Sequence, residues 1–447
     1  MNSINVGKKI FLAGIFLLPS ALGLSSIFFI LSSFISIKHN FKVLIKDKFN
    51  LYLITASILF TIISFFHAIK FNFISLESID SPNLDLKSMS WDPSVSFLGI
   101  ANWVLIFFFV FIGCQSYLGS NRDRKAFSKW LIIGSFPVLI TGFGQYWLGW
   151  YGPFEILNGF IKWYLKPIHA ENFGLAGLFS NQNYTGCWLN IILPFSLSFF
   201  LENNNSKRKK IISIVFLLIL ALAISLTGSR NALLGMFLSI PLVLETTAFF
   251  WLFFLIFVFT IFLIFLSKEN LSNLFPNELF ENILPESILI KLKADTYIKY
   301  SQTRFDIYTF AINMISQSPF LGWGAGSFSI YNYLSLGSYV GHPHNLILDL
   351  AFNYGAIICL VVFGFIFYIL FNSFKSIYFD KENKVTNYNE KIFEKAWWTS
   401  FFILLLSQMF DVQYYDGRIS ISFWALIAGL KMILQEKQQN SAQVISK

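Results

Sequence analysis

Apolar runs long enough to cross a hydrocarbon core recur from one end of this chain to the other, separated by short stretches that carry most of its charge. A helical crossing needs roughly 17–25 such residues. Lipid offers the backbone no hydrogen-bond partners, so only helices and closed barrels can span it. The runs are rich in Phe, Leu and Ile and lack the polar–apolar alternation of barrel strands. The sequence therefore predicts an all-α, polytopic membrane helical bundle. Composition agrees: 13% of the 447 residues are charged and mean hydropathy is +0.61, against about 25% charged residues in an ordinary soluble domain.

The formal net charge of +9 raises nucleic acid as a partner, but the basic residues fall in short clusters between apolar runs, such as Lys207-Arg208-Lys209-Lys210. That is the pattern of cytoplasmic loops, so no nucleic-acid partner is expected. Ile10–Ile37 is too long for one simple span and has Lys residues on both sides; a hairpin of two helices keeps both flanks cytoplasmic. Continuing this alternation gives about twelve membrane elements, both termini inside, in a single membrane domain over 1–434. A polar tail, 435–447, is expected to be cytoplasmic and disordered. A loop over 267–341 on the outer side far exceeds the roughly 15 residues of ordinary connectors. Near its end Phe305, Ile307, Tyr308, Ala311, Met314 and Ile315 suit an amphipathic helix. Cys114, Cys187 and Cys359 lack metal-ligand spacing and read as small core residues.

Polar chemistry gathers near the outer ends of the spans. Arg230, in LTGSRNALLG, is a snorkelling cap or a planar donor for phosphate. Arg304 is a solvated partner of Asp306 or a second such donor. The glycines of PFLGWGAGSF, Gly322 and Gly324 among them, lack the Lys-Ser or Lys-Thr of a nucleotide loop and suit a turn that admits close backbone approach. His342 and His344 flank Pro343 before a new apolar run; they are helix-capping groups, or one is a base with a pKa near working pH. No metal site is expected, because no further ligand stands at helical spacing. Asn181, Gln182 and Asn183 are either interhelical glue or the lining of a polar cavity.

Four parts in order then resemble the O-antigen ligase and polymerase superfamily of bacterial membrane glycosyltransferases. They are Gly177-Leu178-Phe179-Ser180-Asn181-Gln182-Asn183; Ser229-Arg230-Asn231-Ala232; Arg304 with Pro319-Phe320-Leu321-Gly322-Trp323-Gly324; and His344-Asn345-Leu346-Ile347-Leu348 with Gly355. The signature covers 175–371. The resemblance implies transfer of a glycan from a polyprenyl diphosphate-linked donor to a hydroxyl of the lipid A core or of another glycan repeat. The reaction would take place at the periplasmic face of the bacterial inner membrane, among membrane lipids, without metal or cofactor. It further implies that Arg230 and Arg304 hold the diphosphate and that His344 activates the acceptor, with Asn181, Asn183, Gly322, Gly324 and Asn345 shaping the substrate site. A small-solute transporter is the alternative, disfavoured by the scarcity of mid-membrane carboxylates, Asp349 being the main exception.

Overall fold

A computed structural model describes residues 3–70, 74–75, 90–168, 174–202, 206–244, 303–337, 339–379 and 387–445. The apolar runs fold as helices. In chain order these are α1 (Ser3–Leu17), α2 (Leu22–Lys46), α3 (Lys48–Lys70), α4 (Pro93–Tyr117), α5 (Asn121–Gly134), α6 (Phe136–Leu148), α7 (Gln182–Leu201), α8 (Lys207–Leu226) and α9 (Arg230–Leu244). Within the 267–341 stretch lie α10 (Arg304–Gln317) and α11 (Phe328–Leu336), and after it come α12 (Leu346–Phe374), α13 (Tyr388–Gln408) and α14 (Gly417–Ile445). Two short antiparallel pairs are the strands among the described residues: β1 (Ile74–Ser75) with β2 (Ser90–Trp91), and β3 (Phe154–Ile156) with β4 (Ile161–Trp163).

Eight helical stretches among the described residues are long and apolar enough to cross a membrane, with α5 and α6 forming one of them. Of the other expected elements, α9 is a shorter apolar helix, α1 and α13 are helices at the places of two more, and Thr247–Leu266 lies outside the described residues. The first apolar stretch is the expected hairpin: α1 and α2 pack on each other, and the Ser25 hydroxyl donates to the Gly14 carbonyl at 2.8 Å.

Helices α7, α9 and α13 pack together as one group, and the first residues of α7 and α9 meet the segment just after α13. Behind them aromatic side chains fill the interior; Trp103 stacks on Tyr414 with ring centroids 4.1 Å apart. Such contacts suit a bundle in lipid, where close packing rather than water exclusion holds helices together.

Two expectations change. The 435–447 tail is not disordered as far as Ile445: α14 runs on to that residue. Its polar side chains find partners there, Lys437 pairing with Glu394 at 2.9 Å and Gln435 donating to Asp47 at 2.8 Å. The amphipathic helix exists as α10, but its buried stripe is Ile307, Phe310, Ala311 and Met314, while Phe305 is 77% exposed. Helical spacing from Ile307 selects positions three, four and seven residues on and leaves Phe305 off that face. The stripe packs on Phe328 of α11 and Phe352 of α12.

Candidate active site

Asn181 caps α7, its side chain accepting from the Asn183 backbone at 2.8 Å. Before α9 the chain turns through Gly228 at φ +59°, and Ser229 caps the helix by accepting from the Ala232 backbone. This leaves Arg230 on the first turn, exposed. Asn231 beside it is held by the Ser407 hydroxyl at 2.7 Å. Helix α10 starts in a capping box, Thr303 with Asp306, which holds the Asp306 carboxyl below its usual range and commits it to the backbone. Arg304 is thereby left without a carboxylate among the described residues, and its guanidinium donates to the Phe410 carbonyl.

These pieces line one cavity of 520 Å³, with Gln182, Asn183, Arg230, Asn231, Arg304 and Asp411 in its wall. Three helices, α7, α9 and α10, present their first residues to it. Helix N-termini carry unsatisfied N–H groups and a partial positive charge, a setting that binds anions. Two guanidinium groups, Arg230 and Arg304, without carboxylate partners among the described residues add to it, and arginine matches phosphate oxygens in bidentate fashion.

His344 and His342 stand at the edge of the same group. Asn345 caps α12, accepting from the backbones of Ile347 and Leu348 at 3.0 and 3.1 Å, and its amide donates to the Met409 carbonyl. His344, just before it, has φ +51°, a left-handed conformation uncommon for a residue other than Gly or Asn. Its backbone N–H donates to His342 Nδ1 at 3.1 Å, and its own Nδ1 lies 3.1 Å from the Asp411 carboxylate. Asp411 also accepts from the Asn183 amide at 3.2 Å and has His342 Nε2 at 3.7 Å.

Burial pushes the Asp411 carboxyl upward, but the hydrogen bond from His344, the charges of both histidines and the Asn183 amide outweigh it and hold the group below its usual range. Burial, the neighbouring His344 and Arg304 bring His342 down to about 4. At neutral pH Asp411 is then an ionised, acceptor-only group and His342 is neutral. An ionised Asp411 fixes the proton of a neutral His344 on Nδ1, so that Nε2 carries the lone pair. A His so oriented can take a proton from a hydroxyl, the arrangement by which a carboxylate orients a catalytic imidazole in hydrolases.

Of the sequence-predicted residues, the structure gathers Arg230, Arg304, His344, Asn345 and Asn183 around Asp411. Asn181 serves as the cap of α7. Gly322 and Gly324 are not among the residues lining the cavity: the backbones of Trp323 and Gly324 donate to Phe352 and Asn353 of α12 at 2.8 and 3.1 Å, and a Cβ on Gly322 would lie 2.5 Å from the Phe352 carbonyl oxygen. The glycine turn thus seats the segment carrying α10 and α11 on α12. Asp411 and Asn231 were not singled out in the sequence. The available signal for Asp411 was its place at the end of an apolar run, in SQMFD, where a charge needs a partner. His342, His344 and Asp411 are also the candidate metal ligands among the described residues, their ligand atoms lying within 4.8 Å of one another.

Residues 214–363 match the family model described as O-antigen ligase. The matched segment includes Arg230, Arg304 and His344, whereas Asn183 and Asp411 fall outside it. A search of curated proteins gives no significant match.

Proposed function

We propose that this chain, which matches the O-antigen ligase family model over residues 214–363, belongs to the O-antigen ligase and polymerase superfamily and is a membrane glycosyltransferase that moves a glycan from a polyprenyl diphosphate carrier to a hydroxyl of the lipid A core or of another glycan repeat. The observation that carries this reading is the convergence of Arg230, Arg304 and three helix N-termini on one cavity bordered by the His344–Asp411 pair. The cavity suits a diphosphate, and the pair suits a hydroxyl nucleophile.

In the transfer the acceptor oxygen bonds to the anomeric carbon of the donor sugar while its proton passes to His344 Nε2. The bond from that carbon to the diphosphate oxygen breaks, and the electron pair leaves with the diphosphate. Arg230 and Arg304 stabilise the negative charge that grows there, an interaction strongest in the transition state. Asp411 orients His344 and balances the imidazolium that forms. The two guanidinium groups do the work of the metal ion that commonly neutralises a leaving diphosphate, so this reading needs no metal. The distribution of Lys and Arg between the apolar runs supports the periplasmic side for this cavity.

Asp349 gives little support to a transporter: it is 3% exposed and bonded to Tyr415 and Asn353. The test is a glycan gel on a strain lacking the gene. Loss of all polymer from lipid A indicates a ligase, and a single attached repeat indicates a polymerase. Normal surface glycan together with altered uptake of a small solute would overturn the reading.

A further inference from the structure

A second cavity, of 610 Å³, opens beside the first. The turn between α1 and α2, the β3–β4 hairpin, the start of α7 and the start of α14 form its walls. The hairpin is fixed in place: Trp163 Nε1 donates to the Ser20 carbonyl at 2.7 Å, and Phe160 lies so close to Gly23 that a Cβ there would meet its ring at 2.6 Å. The two cavities share their inner wall. Tyr184 faces the second, whereas its neighbour Asn183 faces the first; the segment 411–416 begins in the first at Asp411 and ends in the second at Asp416.

The two differ in charge. Arg418 in the second cavity is clamped by Asp416, with Nε donating to Oδ1 at 2.8 Å and Nη2 to Oδ2, and it stacks 3.8 Å from the Phe179 ring. Lys162 pairs with Glu155 across the hairpin. Both cations are thus neutralised on the spot, and a phosphate entering there meets carboxylates rather than a free positive charge. The rest of the wall includes the phenyl ring of Phe160, the hydroxyl-bearing rings of Tyr164, Tyr184 and Tyr415, and the polar side chains of Ser180 and Asn158. Flat aromatic faces beside a few fixed donors and acceptors suit the alternating C–H and O–H surfaces of sugar rings.

We infer that this second cavity seats the sugar end of the acceptor, an uncharged saccharide rather than a phosphorylated one, and delivers its hydroxyl across the shared wall to His344. The inference rests on the reading of the arginine cavity as the donor site. None of the residues named here in its walls lies in the segment that matches the family.

Photo-crosslinking in the intact cell tests it, with the cell's own glycans as probe and benzoylphenylalanine placed at Phe160 in one strain and at Phe410, on the first cavity, in another. Both side chains are well exposed, at 48% and 42%. Expected at Phe160 is a carbohydrate adduct whose sugar next to the crosslink is unphosphorylated; a lipid A anchor on it identifies a core acceptor, and a polyprenyl anchor a glycan repeat. Expected at Phe410 is a polyprenyl diphosphate adduct. An adduct at Phe410 with no carbohydrate at Phe160, or with a phosphorylated sugar there, overturns the inference alone; absence of both removes the donor reading as well. With the purified protein, Phe160→Ala is expected to raise the acceptor KM about tenfold and leave the donor KM unchanged. A change confined to the donor KM would contradict the assignment.

Discussion

Among single residues Asp411 is the pivot of the proposed site, its carboxylate lying 3.1 Å from His344 Nδ1, where it would orient that ring. Replacing His344 by Ala should lower transfer by about 10²–10⁴-fold, the usual worth of a positioned base, and Arg304→Ala by about 10²–10³-fold. Membrane levels of both variants should stay normal, since both side chains sit at the surface of the site. His342 makes a separate prediction about pH. Its pKa falls from an ordinary 6.5 to about 4 in the folded chain, so the unfolded chain binds the extra proton first as pH drops. Stability from this residue is therefore complete above about pH 6.5 and lost on the way down to about 4, and the depressed Asp411 acts in the same direction. Thermal melts of the detergent-solubilised protein should show a fall across that window, with a smaller fall in His342→Asn; an identical slope in the variant would remove His342 from the explanation.

At the scale of elements, the glycine-rich turn and the break in α12 form an interlock. Gly355 has φ +83°, and a Cβ there would come 2.4 Å from the Phe320 carbonyl oxygen, which is backbone and cannot swing aside. Gly337 has φ +71° with nothing within 4 Å of such a Cβ. Gly337→Ala should thus cost only the left-handed strain of about 1–2 kcal/mol, whereas Gly355→Ala should also dislodge α10 and α11 from α12. Protease sensitivity of the outer loop separates the two: new cleavage near α10 in the Gly355 variant alone is expected, and equal behaviour would deny the interlock. The sequence made the glycine cluster legible as a turn with close approach. What approached whom was not legible, because the partner backbone, Phe352–Gly355, lies on a different helix.

At the scale of the whole molecule, the helical bundle and the paired first helices followed from run length and from where the lysines and arginines fall. Arg230, Arg304 and His344 stood out as candidates because each is a polar group beside an apolar run and each sits in one of the four parts that resemble the family. The cavity they share was not, since it depends on the packing of α7 and α9 on α13, which no local spacing encodes. Asp411 was missed for the same reason: it lies 67 residues from His344 in the chain. Sidedness has its own check. The native cysteines are all buried, so Phe160→Cys should react with a membrane-impermeant maleimide in intact spheroplasts, and Val43→Cys, 72% exposed beside the cavity at the other end, only after the membrane is opened. The reverse pattern would turn the protein over. The most direct measurement is transfer by the purified chain in lipid nanodiscs, supplied with a polyprenyl diphosphate-linked glycan and its acceptor in the presence of a chelator. The wild type should form the glycosylated product with release of polyprenyl diphosphate, and His344→Ala and Arg304→Ala should not. Product formation at the wild-type rate by both variants, or a wild-type reaction that stops with chelator and returns with added metal, would contradict the account.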